Sequence, residues 1–511
     1  MCMMTGGVTF MAKINIILGS PGTGKTHTLL GIVDQKLAAG AHPYNIAFLA
    51  FTRKAAHEAR DRALTKFNLE EKDLMYFQTL HSFAYHRLGM VKSDVMDKSN
   101  YEEFGNEFGM DVRNVYVNDE IGLTRIDNMQ LNEANQCRLR GRDPHDHYQR
   151  TPHLNREVSW FSFKRAKESF EEFKNKRQLF DFTDFIDNFV QHGEVPPLDF
   201  VFIDEAQDLC NLQWAMLRKI CKYAKKVYIS GDDDQAIYRW LGADVEYFIG
   251  MEGEVQVLRQ SYRCAQAIQD LSQIIIRKVR HRRPKEWIGT NQKGLVEYHA
   301  HSGSVNVHEG EWFILASTNY MLDDIQRDVR TQGLLYTRRG EPSISKPVQD
   351  AIYSWKRLGE GEPITLDAVK SIYSYLSLGT GVQRGYKTLK TADKESYDIE
   401  ELVNHQGLLV AGLPWDVALD KVSDRDVLYA RAIEQRNHSL TDKPQIHLST
   451  IHGAKGGEAD NVMLFTDISR STREEMEINP DDTHRLFYVG VTRARKELHL
   501  IKPQQYTGYD I

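Results

Sequence analysis

The chain has 511 residues, of which 41% are apolar, 10% aromatic and 27% charged, with a formal charge of −6 and an isoelectric point near 6.4. This is ordinary globular composition, which excludes disordered, collagenous and membrane classes, and it is not the basic body of a protein that coats nucleic acid nonspecifically. At roughly 100 to 200 residues per domain, the length predicts about three or four units.

No apolar stretch approaches the roughly 18 residues of a membrane span, and the start MCMMTGGVTFMAK lacks a secretory pattern, so the expected location is cytoplasmic with no membrane partner. Residues 1 to 10 read as an upstream start, because Met11 precedes the first credible strand. Cys2, Cys137, Cys210, Cys221 and Cys264 form no CxxC pair and no Cys/His ligand spacing. They read as reduced structural thiols, against a zinc, iron–sulfur or disulfide framework.

In chain order, INIILGSPGTGKTHTLLGIVDQKL predicts a strand, a glycine-rich turn and a helix. Further strands are expected at NIAFLAF near 45, DFVFID near 199, KVYISGD near 226, EWFILAS near 311, QIHLST near 445 and ELHLI near 497. Strands alternating with longer helical stretches argue for parallel α/β sheets, here two. Charged, aromatic-rich and helical sequence from 86 to 189 reads as an insertion. A second is expected over 346–440, where DAVKSIYSYLSL precedes a polar stretch from Gly379 to Lys394. The basic run RKVRHRRPK at 277–285 reads equally as a track for a phosphate backbone or as a solvated helix end.

Gly19-Ser20-Pro21-Gly22-Thr23-Gly24-Lys25-Thr26 satisfies GxxxxGK[ST] between a strand and a helix, the context that defines a P-loop. Its backbone amides and the helix N-terminus suit phosphate. Lys25 would hold the β and γ phosphates, and Thr26 would ligate Mg2+. The strand Val201-Phe202-Ile203 then delivers Asp204 and Glu205 to its tip, where open α/β sheets bind ligands. Asp204 is placed to help hold Mg2+ and Glu205 to act as general base toward water. A nucleotide switch needs no such base, so the pair favours repeated hydrolysis of a nucleoside triphosphate.

Asp204-Glu205-Ala206-Gln207-Asp208 resembles helicase motif II, and it has company. Residues 50–56 (AFTRKAA) resemble motif Ia, 79–82 (TLHS) Ib, 231–240 (GDDDQAIYRW) III, 260–263 (QSYR) IV, 449–458 (STIHGAKGGE) V and 485–494 (RLFYVGVTRA) VI. In order and type these are similar to the UvrD/Rep/PcrA-like family of superfamily 1A DNA helicases, from about Ile14 to Leu500. Weaker echoes lie at FDFTD (180–184) and in the segment after motif IV.

The resemblance implies an α/β fold of two RecA-like P-loop NTPase domains with parallel sheets, each carrying a mostly helical inserted subdomain. Core 1A would span 1–85 and 190–250, insertion 1B 86–189, core 2A 251–345 and 441–511, and a reduced 2B insertion 346–440. ATP would bind between the cores. Gln235 would sense the γ-phosphate, Tyr262 stack on the base and Glu458 meet the ribose. Arg263 and Arg493 would bring positive charge to the transferring phosphoryl group, as an in-line transition state requires. For DNA, the implied contacts are Phe51, Thr52, His81, Tyr238, Trp240 and His452, with aromatic stacking indifferent to sequence. His81 and His452 read equally well as backbone hydrogen-bonding groups near the cleft.

Two departures bear on these expectations. No glutamine precedes Gly19, so the family's adenine-reading segment is missing and ATP is not thereby preferred over other nucleotides. The short interval between motifs IV and V leaves a reduced 2B and no room for an appended nuclease.

The expected activity is ATP-driven 3′-to-5′ movement on single-stranded DNA, with unwinding of 3′-tailed duplex. The alternatives are a translocase that strips single strands without useful unwinding, and a nucleotide-gated module of a repair, replication or defence complex.

Overall fold

Six parallel strands organise the first part of the chain. They are β1 (Lys13–Gly19), β2 (Ile46–Ala50), β3 (Phe77–Thr79), β6 (Phe200–Ile203), β7 (Lys226–Gly231) and β8 (Glu254–Leu258), with a separate hairpin of β4 (Val115–Asn118) and β5 (Leu123–Ile126) between. The sheet order is β3-β2-β6-β7-β1-β8. The computed structural model describes residues 12–112, 115–118, 123–387, 395–504 and 508–511. The upstream reading of residues 1 to 10, Cys2 and the later part of the Gly379–Lys394 stretch fall outside them.

Continuous apolar runs make β2, β6, β7 and β1 central and largely buried on both faces, while β8 is an exposed edge. On one face Ile17, Ile46, Phe48, Ala50 and Phe202 pack against Leu29, Leu30 and Val33 of the helix Lys25–Ala38 and Ala56, Ala59 and Ala63 of the helix Arg53–Phe67. On the other, Ile16, Leu18, Leu49, Val201, Ile203 and Ile229 meet Phe83, Phe185, Phe189, Trp214 and Leu217. The insertion between β3 and β6 has its own smaller cores, one built on Tyr101, Phe104, Phe170 and Phe173 and another on Ala134, Leu154 and Phe163. Asp181 and Asp184 of FDFTD cap the helix Phe182–His192. Both also bind Arg138 and Lys174, which ties the insertion's helices to that cap.

The second sheet has the order β12-β11-β13-β10-β14-β15-β9. Its strands are β9 (Leu295–His299), β10 (Trp312–Ala316), β11 (Tyr336–Arg338), β12 (Glu341–Pro342), β13 (Ile446–Thr450), β14 (Ala459–Phe465) and β15 (Ala494–Ile501), parallel except for the β11–β12 pair. Among the described residues the helical segment 346–440 shares its core with the sheet. Val348, Trp355, Ile372, Leu402 and Tyr429 join Ile314, Leu448 and Met463 of the sheet in one apolar cluster.

The chain divides into two compact units, Met1–Lys293 with Met476–Tyr488, and Gly294–Glu475 with Val489–Ile511. Residues 251–293, expected in the second core, fall in the first of these units. The reason is β8, which pairs in parallel with β1 and completes the first sheet. Its short sequence EVQVL alternates polar and apolar residues and is not among the expected strands. Of the cysteines, Cys137, Cys210, Cys221 and Cys264 are buried. Among the described residues no helix is long and apolar enough to cross a membrane.

Candidate nucleotide site

Because β1, β6, β7 and β8 run parallel, their C-terminal ends share one edge of the first sheet, and four expected segments meet there. Gly22 and Gly24 turn the loop after β1 through left-handed φ values of 70° and 78°, which side chains resist. Thr23 Oγ1 donates to Ser20 O at 2.9 Å and Lys25 Nζ to Gly19 O at 2.8 Å, so the loop is closed on itself.

From the tip of β6, Asp204 receives the Thr26 hydroxyl at 2.6 Å on one oxygen. The Ser230 hydroxyl of β7 and the Glu205 amide bond the other. Burial and the neighbouring Glu205 raise the Asp204 pKa above the ordinary carboxylate value, opposed by the Ser230 and Thr26 hydrogen bonds and by Lys25. Glu205 itself sits at φ 54°, a strained backbone for a non-glycine residue.

Gln207 is fully buried. Its Nε2 donates to Glu205 Oε2, while its Oε1 accepts from the Asp232 amide at 2.9 Å. Asp232 in turn accepts from Gln235 Nε2 at 2.7 Å. A chain of hydrogen bonds, passing through the backbone amide and the carboxylate of Asp232, thus joins the expected base to the expected γ-phosphate sensor.

Motif IV lies on this same edge rather than in the second unit. Ser261 Oγ donates to Pro21 O at 2.7 Å, and Tyr262 N donates to Gly22 O at 2.9 Å. A Cβ on Gly22 would lie 2.4 Å from Arg263 Cβ, so the loop and Arg263 are in near backbone contact. Together Gly22–Thr28, Glu205, Val257, Leu258, Tyr262 and Arg263 line a cleft of about 790 Å³, with the Tyr262 side chain 77% exposed at its rim.

The expected DNA contacts separate by environment. Phe51 and Tyr238 stack at 5.8 Å between ring centroids, and Trp240 is 43% exposed. Thr52 caps the helix Arg53–Phe67 by accepting from Ala55 N at 3.3 Å. His81 is buried edge-to-face against Phe182, and burial, with a smaller contribution from Arg53, lowers its pKa to about 4. It is a neutral packed imidazole rather than a surface group.

The basic run at 277–285 divides: Arg277, Lys278, Arg280 and His281 are exposed just past the helix Gln266–Ile276, whereas Arg282, Arg283 and Lys285 turn inward. Lys285 is buried, with Nζ at 3.0, 2.7 and 2.9 Å from carboxylate oxygens of Asp232, Asp233 and Asp234. Arg282 pairs with Asp234, and the Arg283 amide donates to Asp233 Oδ2 at 2.8 Å. Three motif III carboxylates thereby receive internal countercharge. Arg485 adds a donor, from Nε to Asp233 O at 2.9 Å.

The remaining expected residues lie in the second unit. Arg493 is buried and donates to the carbonyls of Gly457 and Val489, each at 3.0 Å. Glu458 Oε1 lies 3.6 Å from Arg495 Nη1, and His452 is half-buried in the turn after β13. Gln207, Ser230, Ser261 and Lys285 were not singled out by sequence reasoning. The first stands inside motif II, but its two-ended bond depends on β7, which only the folded sheet brings beside β6.

A P-loop facing an Asp-Glu strand tip at the edge of a parallel sheet defines a P-loop NTPase. Residues 5–256 match the UvrD/REP helicase N-terminal domain and 387–505 the UvrD-like helicase C-terminal domain. The chain belongs to the UvrD/Rep/PcrA-like family of superfamily 1A helicases. It is 22% identical to the ATP-dependent DNA helicase PcrA of Bacillus subtilis (strain 168), over 96% of this chain and 81% of that one. A probable DNA helicase of Mycoplasma pneumoniae is 26% identical over 51% of this chain and 52% of its own length. PcrA of Staphylococcus aureus (strain Mu50) is 21% identical over 58% and 42%.

Proposed function

We infer that the chain is an ATP-dependent DNA helicase that couples hydrolysis to 3′-to-5′ movement on single-stranded DNA and unwinds 3′-tailed duplex. The observation that carries the hydrolytic half is the 2.6 Å contact of Thr26 with Asp204, with Glu205 beside it in the cleft lined by Tyr262 and Arg263. The DNA half rests on family membership, together with the stacked Phe51–Tyr238 pair and the exposed Trp240.

The Thr26 hydroxyl and Asp204 carboxylate are hard oxygen donors of the kind that suit Mg2+. Mg2+ held there would neutralise charge on the phosphate oxygens. The loop amides from Gly22 to Thr26 receive phosphate, and Lys25 exchanges its Gly19 carbonyl for a phosphate oxygen. Glu205, aimed by Gln207, takes the proton of the attacking water. Arg263 and Arg493 supply cationic charge to the transferring group, Gln235 reports its presence, Tyr262 stacks on the base and Glu458 binds the ribose.

Melting costs on the order of 1.4 kcal/mol per base-pair step, within reach of a hydrolysis cycle. The test is strand displacement on 3′-tailed and 5′-tailed duplexes with ATP, GTP or no nucleotide. Unwinding of the 3′-tailed substrate with ATP is expected. An ATPase indifferent to single-stranded DNA would overturn the reading.

A second reading, a translocase with little unwinding, is favoured by the segment 346–440, whose apolar residues belong to the core of the second unit. The same assay separates the two, since a translocase hydrolyses ATP on single strands and leaves the duplex paired.

A further inference from the structure

Strand β9 lies at the edge of the second sheet. Its Glu297 and His299 share one face because strand side chains alternate, and the register sets His499 of β15 opposite Glu297. Three ligand atoms converge. His299 Nε2 lies 3.0 Å from His499 Nδ1, and Glu297 Oε2 lies 3.5 Å from each nitrogen. A triangle with these edges has a centre about 1.9 Å from every corner, so an ion slightly above its plane meets all three at the roughly 2.0 to 2.2 Å of zinc bonds to imidazole and carboxylate.

The hydrogen-bond network also prepares the lone pairs. Ser304 spends its one hydroxyl hydrogen on His301 O at 2.8 Å. Toward His299 Nδ1, 3.0 Å away, Ser304 therefore accepts. This assigns the N–H to Nδ1 and leaves Nε2 bare. His499 Nε2 makes no hydrogen bond and lies 3.5 Å from Glu497 Oε2. With its N–H toward that carboxylate, His499 also presents a bare Nδ1.

The opposite tautomer would hydrogen-bond the two rings but set a bare nitrogen against the Glu497 carboxylate. A cation relieves both conflicts. The Ser304 hydroxyl behind His299 is the usual kind of support of a metal-bound histidine. The buried Trp312 packs on His499 at 5.3 Å between ring centroids, while Glu297 is exposed and leaves an approach from solvent.

We propose that Glu297, His299 and His499 bind a divalent transition metal of the zinc class, with three protein ligands and an open fourth position, fastening edge strand β9 to β15. Imidazole nitrogens suit zinc and its neighbours, whereas the all-oxygen Thr26–Asp204 pair suits Mg2+, so the two sites select different ions. The cysteines take no part. The spacing argument against zinc concerned ligands close in sequence, and these come from strands at opposite ends of the second unit's sequence.

The test uses the full chain, prepared without a polyhistidine tag, stripped with chelator and titrated with Co2+ in excess Mg2+. One equivalent of Co2+ should bind with visible d–d absorption and be displaced by Zn2+. Glu297→Gln and His299→Ala should each lose the absorption while keeping wild-type circular dichroism. Ser304→Ala should weaken binding by about ten-fold. Absence of stoichiometric binding, or unchanged binding in both ligand variants, would overturn the proposal. Neither result bears on the nucleotide site, which DNA-stimulated ATP turnover tests separately.

Discussion

Thr26 donates its hydroxyl hydrogen to Asp204 at 2.6 Å, joining the first turn of the helix after β1 to the tip of β6. With Glu205 at the same tip, this contact separates binding from turnover. Glu205→Gln should retain nucleotide and DNA binding while kcat falls about 10²- to 10⁴-fold, the usual worth of a general base. A single-turnover ATPase measurement beside a nucleotide titration checks it. Near-normal turnover would remove Glu205 from that role.

Gly22 leaves no room for a side chain. An added methyl would lie 2.4 Å from Arg263 Cβ and 2.9 Å from Ser261 Oγ, at a φ of 70°. Gly22→Ala should displace Ser261–Arg263 and weaken nucleotide binding at least about ten-fold, since 1.4 kcal/mol corresponds to that factor. A fluorescent-nucleotide titration reads the effect. Wild-type affinity would show that the two segments move apart without consequence.

Lys285 holds three buried carboxylates together. Lys285→Met leaves them short of countercharge and should destabilise the first unit by about 3 to 5 kcal/mol. Urea unfolding followed by tryptophan fluorescence measures the loss. If the segment served mainly as a DNA track, DNA affinity would fall while stability held.

His81 sets a pH dependence. Its pKa falls from the ordinary 6.5 to about 4 on folding. Between those values the unfolded chain binds the extra proton, so stability rises with pH across this window and is lost as pH falls from 6.5 toward 4. The contribution is on the order of 3 kcal/mol. His81→Asn should flatten this part of the stability–pH curve relative to wild type. An unchanged slope would show that the imidazole is hydrated.

Trp240→Ala, and separately Phe51→Ala, should weaken single-stranded DNA binding by about 1 to 3 kcal/mol, the worth of a base stack. ATP turnover without DNA should persist. Fluorescence anisotropy of a labelled oligonucleotide measures the first and a coupled assay the second. Equal affinity in both variants would move the DNA path elsewhere.

Much of this was legible in the sequence because it is contiguous. The P-loop lies between a strand and a helix, and Val201–Ile203 ends at Asp204 and Glu205, so local pattern and chemistry coincide there. What escaped was pairing across distance. The short Glu254–Leu258 strand carries no mark of the sheet it joins, and Arg282 to Lys285 look solvated until Asp232–Asp234 are folded against them. Glu297 and His499 meet only through the register of β9 on β15. His81 sat inside a nucleic-acid motif, yet the helix Phe182–His192 covers it with Phe182.

Gln207 binds Glu205 through its nitrogen and Asp232 through its oxygen. An amide is unsymmetrical: its NH2 end only gives hydrogen and its carbonyl end only takes it. Reversed by half a turn, it would set oxygen against carboxylate at one end and N–H against N–H at the other. The side chain therefore works like a keyed connector that seats in one sense. A displacement of the β7 tip large enough to unseat it would also free the Glu205 carboxylate that it holds.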